Sequence, residues 1–475
     1  MNNTLPMPLK VRPYVHQQMA FDFVCDQFGL LTGTSKSRGI CLLMEMGCGK
    51  SLVAIAVAGT LYQFGLTRVL IVGPLSTLSV WEEQLSAFAA FPYMLTILKG
   101  SSRKKREQIQ NIPNSGLQII VVNYESARIL EEDLVTWRPQ VTIADEGHKL
   151  KENRSQQSKA MHHIGDVSQY RLLLTGTVIS GKELDVFSQY RFANKCIFGT
   201  SFYAFRNRYF DMLGYGNHTP VFRKAMVDEF LRKMHSIAYR TTKEECLDLP
   251  EITEEVYPVI LEDKALKKYQ ELMKESYTEL EGEDVSAPNV LTKLLRLSQL
   301  TGGFLTDDAG NCSAVSTAKL DALSDIMDSA LAGGKKLVVI ARFTAEMDAI
   351  EEMMRKKKVK YSVIRGGVKD RDVQIQKFQN DPETMIFLGQ VQAAGLGITL
   401  TAASTMVFYS MDYSMSNFDQ CKSRIHRISQ KENCHYIYLC CRDTVDMKVL
   451  RSLRNKINLA KTLVDDYRNG RNPYA

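Results

Sequence analysis

No stretch of this sequence reaches the ~18 consecutive apolar residues that a membrane-spanning helix needs, so no membrane partner is expected. The N-terminal MNNTLPMPLK lacks the apolar core of a signal peptide, and the expected location is the cytoplasm. The ten cysteines contain no CxxC pair. That pattern argues against a structural zinc site and for free, buried thiols in a reducing compartment, with Cys440 and Cys441 side by side in an apolar run. No internal repeat of solenoid length is present. Strong charge of one sign is lacking as well: a net charge of +7 over 475 residues permits a polyanionic partner without establishing one.

What the sequence does have is alternation. Short Val- and Ile-rich runs, GICLLMEM, RVLIVGP, LQIIVVNYE, VTIADE and RLLLTGT in the first half and KLVVIARF, YSVIRGG, TMIFLGQ, TMVFYSM and CHYIYLC in the second, are separated by amphipathic stretches. Continuous apolar runs bounded by turn residues suit buried parallel strands. Their alternation with helices predicts an α/β fold with two parallel-sheet units in tandem. Residues 181–317 differ: VFRKAMVDEFLRKMHSI and DKALKKYQELMKESYTELE place apolar side chains at three- and four-residue spacing, as amphipathic helices do. EGEDVSAPN (281–289) reads as a polar loop, and DDAGN (307–311) and GGKK (333–336) as breaks. The expected division is a first sheet unit over 1–180, helical insertions and linker over 181–317, a second sheet unit over 318–445, and a C-terminal helix with a basic tail over 446–475.

Two segments of the first unit carry recognisable chemistry. MEMGCGKS ends a strand, and a helical pattern follows it. In Gly47-Cys48-Gly49-Lys50-Ser51 the glycines let backbone N–H groups approach phosphate oxygens, and the positive end of the following helix points at them. Lys50 can reach the β- and γ-phosphates of a nucleotide and Ser51 can ligate Mg²⁺. The complete G-x-x-x-x-G-K-[ST] pattern is not met, because Met44 occupies the first glycine position. VTIADEGH ends a strand on Asp145-Glu146, at the mouth of an open parallel sheet where ligands bind. Asp145 can hold the metal and Glu146 can take a proton from, or orient, the attacking water; His148 can couple this site to its neighbours.

Further on come RLLLTGTVIS, RTTKEECLDLPE, VQAAGLGITLT and QCKSRIHRISQ. The ordered set resembles superfamily-2 helicases and, more narrowly, the Swi/Snf-type (chromatin-remodeller-like) ATPases in a minimal form. MEMGCGKS resembles that family's DEMGLGK[TS], with cysteine in place of leucine at 48, and QCKSRIHRISQ resembles its QAxxRxHRxGQ; the likeness runs from Arg12 to about Val445. It implies two RecA-like lobes with helical insertions between them, ATP as the bound nucleotide and Mg²⁺ as its metal. Residue by residue, it implies that Gln17 reads the adenine edge with Tyr14 or His16 nearby. Gly47, Cys48, Gly49, Lys50 and Ser51 bind phosphate and metal, and Asp145 and Glu146 form the hydrolysis pair. Thr175, Gly176, Thr177 and Gly395 couple nucleotide state to nucleic-acid contact. Gly397, Gln420, Arg424 and Arg427 face the nucleotide from the second lobe. The two arginines, at i and i+3, are expected on one side of a helix, and a planar, permanently charged guanidinium suits a γ-phosphoryl in transfer.

The sequence departs from the family pattern at Val178, where proline is usual after TGT, at Gly181, and at Tyr413, where tryptophan is frequent. Altered loop geometry with retained activity is expected. The implied function is a DNA-dependent ATPase that translocates along double-stranded DNA as a monomer. The alternatives are a strand-separating DNA or RNA helicase and an ATP-gated nucleic-acid-binding scaffold with little turnover. SSRKKREQ (101–108) is a candidate contact patch or, more simply, a solvated loop. With no bromodomain, chromodomain or other targeting module in the sequence, a bacterial cell or virus-infected host cell is the expected setting, and no protein partner is indicated.

Overall fold

The structure, a computed structural model, describes residues 4–461 except 177, 180–181, 214–218, 247–248, 279–286, 307–311, 369 and 395–397, and gives only the backbone of 76, 275–278, 287–293, 393–394 and 456–461. The chain divides into two compact units, the first comprising the residues up to Leu247 and those from Asn458 on, the second running from Asp248 to Ile457. Among the described residues no helix is long and apolar enough to cross a membrane.

In the first unit the strands are β1 (Gly39–Met44), β2 (Arg68–Gly73), β3 (Met94–Ile97), β4 (Gln118–Asn123), β5 (Val141–Asp145), β6 (Tyr170–Leu174), β7 (Phe210–Leu213), β8 (Thr219–Phe222) and β9 (Ala238–Thr241). Seven of them form one sheet in the order β3-β4-β2-β5-β6-β1-β9, every pair parallel. β1, β4 and β5 are buried along their whole length, which is why their sequences are unbroken apolar runs rather than alternating ones. In the order β5-β6-β1, Asp145 pairs with Leu174, and Leu174 pairs with Leu42. The segments leaving these three strands therefore emerge at one height on the carboxyl edge of the sheet. Between β6 and β9 the chain makes helices Asp185–Ala193, Lys195–Phe198, Phe202–Tyr209 and Val227–His235 and the antiparallel hairpin β7-β8. They pack around the ring of Phe198, which lies 5.2 to 5.8 Å from the rings of Tyr190, Phe205, Tyr209 and Phe230.

The second unit contains β10 (Ile252–Val259), the hairpin β11 (Phe304–Thr306) and β12 (Cys312–Ala314), then β13 (Leu337–Ala341), β14 (Tyr361–Ile364), β15 (Ile386–Gln390), β16 (Thr405–Phe408) and β17 (Cys434–Cys441). Its parallel sheet has the order β10-β17-β16-β13-β15-β14.

Two tandem parallel-sheet units are the fold class read from the sequence, but the boundaries differ. Residues 181–317 hold more than helical insertions and linker. They are shared between the units, and besides the helices they supply β9 and β10, each the outermost strand of a sheet. An edge strand leaves one side open, so it needs no continuous apolar run: β10 reads ITEEVYPV, exposes most of its residues, and tolerates Pro258 as an edge position does. The segment 101–108 is likewise not a loop. Ser102–Gln110 is a helix capped by the Ser101 side chain, and its charges are partly tied down by Arg103–Glu107 and Arg106–Asp133 pairs. The loops expected at 281–289 and 307–311 fall largely or wholly outside the described residues.

The C-terminal helix Val445–Lys461 is, as far as Ile457, part of the second unit rather than appended to it. Asp446 sits 2.7 Å from the Lys319 ammonium and accepts hydrogen bonds from Thr301 Oγ1 and Cys441 N. Burial disfavours the charged lysine, but Asp446, with Cys441 and Glu346, together outweigh it and hold Lys319 above the ordinary lysine pKa. Removing one partner of such a pair strands a buried charge. Asp446→Ala is therefore expected to destabilise the second unit by ~3–5 kcal/mol, read as an earlier urea midpoint for that unit's transition; an unchanged midpoint would show the pair to be dispensable.

Candidate active site

The loop between β1 and helix Lys50–Gln63 has the build of a phosphate cradle. Gly47 (φ 89°) and Gly49 (φ 85°) both lie in the left-handed region, where a side chain is strained. A Cβ on Gly49 would also stand 2.2 Å from Gln17 Nε2. Gln17 is thus packed directly against the loop, and its amide donates to the Cys48 carbonyl at 3.4 Å. His16 Nε2 donates to the same carbonyl at 2.9 Å, which assigns the proton to Nε2. The Tyr14 and His16 rings stack at 5.9 Å, with Tyr14 about half exposed. Lys50 is buried and folds back on its own loop, donating to Met44 O at 2.8 Å and Glu45 O at 3.3 Å. Ser51 follows in the first helical turn.

One strand away across β6, Asp145 ends β5 with its carboxylate buried. Trp81 Nε1 donates to Oδ2 at 3.0 Å, and the Glu146 N–H donates to Oδ1 at 3.0 Å. Burial and the neighbouring Glu146 charge raise the Asp145 pKa well above the usual carboxylate range; the Trp81 hydrogen bond and Lys50 act in the opposite direction. Glu146 adopts a left-handed backbone (φ 51°, ψ 53°), unusual for a residue with a side chain. Its Oε2 lies 3.3 Å from His148 Nδ1, the contact through which His148 touches the pair. Tyr124 OH donates to the Asp145 carbonyl at 2.7 Å. Sequence reasoning missed Trp81. The only available signal was that LSVWEEQ holds one of two tryptophans in the chain.

Thr175 is fully buried, and its N–H extends the β6 ladder to Leu42 O. A Cβ on Gly176 would lie 3.5 Å from Met44 O, so this loop runs alongside the phosphate loop. Arg240, on β9, was also missed. Its Nη1 donates to Leu43 O and Gly176 O, each at 3.1 Å, and Nη2 reaches Glu45 Oε1 at 3.3 Å. One guanidinium thereby fastens the phosphate loop to the loop after β6. Thr177 lies outside the described residues.

In the second unit Gln420 is on helix Met415–Lys422, where its amide donates to Ser416 Oγ at 3.4 Å. Arg424 and Arg427 are not on a helix, contrary to the spacing argument. The helix ends at Lys422, and turns follow. The Gln430 amide folds back to Ala403 O and Ile425 O at 2.8 and 3.1 Å, replacing the backbone donors that a continued helix would use. The two arginines nevertheless reach one segment: Arg424 Nη1 donates to Ile398 O at 3.4 Å, and Arg427 Nη1 to Thr399 Oγ1 at 2.9 Å. Burial, then the adjacent Arg424 charge, lowers the Arg427 pKa from its usual value. Gly395 and Gly397, just before that segment, lie outside the described residues.

The comparison with known proteins settles what these motifs belong to. Residues 16–302 match the SNF2-related domain and residues 318–429 the helicase conserved C-terminal domain. The chain belongs to the SNF2-related family. A chromodomain-helicase-DNA-binding protein 1-like of Mus musculus is 26% identical over 445 residues, 90% of this chain and 48% of the relative. An uncharacterized ATP-dependent helicase of Mycoplasma genitalium is 26% identical over 435 residues, 89% of this chain and 40% of the relative. A DNA repair and recombination protein RAD54-like of Gallus gallus is 24% identical over 504 residues, covering 96% and 68%. The chain thus spans less than half the length of the first two relatives. A solved Sulfolobus solfataricus SWI2/SNF2 ATPase core in complex with dsDNA aligns at 24% identity with a TM-score of 0.47, covering 100% of this chain and 96% of that one.

SNF2-related and helicase C-terminal domains together imply ATP hydrolysis in general, with nucleotide and Mg²⁺ as its usual requirements. The residues present fit a divalent cation. A carboxylate buried beside a second acid, with its pKa driven upward, is a site whose charge is under-compensated. Asp145 and the Ser51 hydroxyl are the groups that would hold the metal.

Proposed function

We propose that this SNF2-related chain is a double-stranded-DNA-dependent ATPase that converts hydrolysis into movement along the duplex. The observation that carries the reading is the shared register of β5, β6 and β1, which puts Lys50 and the Asp145–Glu146 pair on one carboxyl edge. ATP phosphates lie against the amides of residues 47–51, and Lys50 exchanges the Met44 and Glu45 carbonyls for phosphate oxygens. Ser51 and Asp145 are the groups that would hold Mg²⁺, which would supply neutralisation of phosphate charge. Glu146 accepts the proton of the attacking water. Arg424 and Arg427 are the groups suited to stabilise charge developing on the γ-phosphoryl. Gln17 reads the adenine edge and Gln420 faces the nucleotide from the second unit. Thr175, Gly176 and Thr177, with Gly395, relay nucleotide state to the DNA grip.

DNA is the polyanion favoured here because the mouse relative is named as DNA-binding and the chicken relative as a DNA repair and recombination protein. Duplex tracking is favoured over strand separation by the helical insertion packed on Phe198, which stands where duplex-tracking Swi/Snf-type proteins carry theirs. Contacts to phosphate are sequence-independent and salt-sensitive. The test is steady-state ATPase with duplex, single-stranded and forked DNA and with RNA, plus a displaced-strand readout on the fork. Duplex DNA is expected to stimulate most and to remain paired. Equal stimulation by single-stranded RNA would remove the DNA assignment, and strand release from the fork would replace translocation with helicase action.

A further inference from the structure

We propose that Cys48 and Cys246 form an oxidisable dithiol, and that a peroxide converts it to a disulfide which disables the phosphate loop. The functional consequence rests on the nucleotide site proposed above. Cys48 lies inside the cradle between Gly47 and Gly49, and its side chain is fully buried. Cys246 ends the short helix Lys243–Cys246 that follows β9 and is partly exposed. The two sulfurs face each other at 3.7 Å although the residues are 198 apart in sequence. A disulfide needs ~2.05 Å, so closure requires an approach of about 1.7 Å. The left-handed glycines on either side of Cys48 give the loop backbone the latitude to make it. The Swi/Snf pattern has leucine at position 48, which cannot be crosslinked, so the dithiol is a feature of this chain.

The chemistry begins at the more accessible thiol. Cys246 sulfur attacks the peroxide O–O bond, giving a sulfenic acid and one water. Cys48 sulfur then attacks the sulfenic sulfur; the S–S bond forms, the S–O bond breaks, and the hydroxide leaves with the Cys48 proton as a second water. Two thiols lose two electrons, and one peroxide gains them. Both thiols are held protonated by burial, Cys246 up to about 12 with the Cys48 sulfur adding to the effect. Because thiolate is the attacking species, the pair stays reduced at neutral pH without sustained oxidant and closes faster as pH rises. Once closed, the crosslink draws Cys48 toward the connector. It thereby pulls against the His16 and Gln17 bonds that set the Cys48 carbonyl, displacing the amides on either side of it.

The experiment treats the full chain with hydrogen peroxide at pH 7.5 and 8.5, blocks residual thiols with N-ethylmaleimide, and maps peptides under non-reducing conditions; MgADP binding and ATPase are measured before and after dithiothreitol. The expected result is a Cys48–Cys246 linked peptide that accumulates faster at the higher pH. At least about tenfold of MgADP affinity should be lost with it and recovered on reduction, and Cys246→Ser should show neither crosslink nor loss. Absence of the linked peptide, a crosslinked chain that binds MgADP as the reduced one does, or equal inhibition of Cys246→Ser would each overturn the proposal. Crosslinking and ADP binding are read without hydrolysis, so a chain that forms the link and loses ADP yet turns over no ATP would count against the motor reading and for the dithiol.

Discussion

Glu146→Gln is expected to bind MgATP as tightly as the unchanged protein and to hydrolyse it ~10²–10⁴-fold more slowly. The substitution keeps the shape and the left-handed turn that aims this side chain off the end of β5, so the cradle, Lys50 and the buried Asp145 are undisturbed. What it removes is the acceptor proposed for the water proton. It also removes one of the two causes that raise the Asp145 pKa, which eases metal binding rather than hindering it. Lys50→Ala is the companion: it deletes the ammonium now bonded to Met44 O and Glu45 O and should lose binding and turnover together. Nucleotide binding by fluorescence and phosphate release under DNA-saturated conditions separate the two outcomes. Full turnover by Glu146→Gln would withdraw its role as base.

Arg427→Ala is expected to cost ~10³–10⁵ in DNA-stimulated turnover while leaving DNA affinity and MgADP binding by the first unit nearly unchanged. Arg427 reaches Thr399 through one guanidinium nitrogen and the Ser423 carbonyl through another, and neither partner carries a negative charge. With Arg424 as a like-charged neighbour, burial presses on this cation; an anion brought to it gains more than it would at a solvated arginine. Arg427→Lys should not rescue, because a point ammonium cannot reproduce the planar fork. Arg424 is almost fully buried, so its removal risks the fold, and Arg427 is the cleaner probe. A turnover loss under threefold would place the transition-state charge elsewhere.

Much of this was legible because buried parallel strands are written as uninterrupted apolar runs, and because a phosphate loop needs glycines whose conformations few other residues adopt. The central strands and the Lys50, Asp145 and Glu146 trio were readable for those reasons. β9 and β10 were not: at a sheet edge AYRT and ITEEVYPV need be apolar on one side only, and they lay among strong helical patterns. Trp81 and Arg240 escaped because their partners lie 64 to 197 residues away in sequence, and several are backbone carbonyls that no spacing reveals. The helix expected under Arg424 and Arg427 failed because the competing donor, the Gln430 amide, looks like any polar side chain until the fold brings Ala403 beside it.

Arg240 carries a mechanical implication. The connector out of the first unit begins at β9, and this guanidinium ties β9 to Leu43 O, Gly176 O and Glu45 at the lip of the phosphate loop. Tension on the connector would therefore enter the protein at the proposed nucleotide grip rather than at a remote anchor. If the chain moves along duplex DNA as proposed, a load opposing that movement would loosen the grip first, making stall force and nucleotide release two readings of one strut.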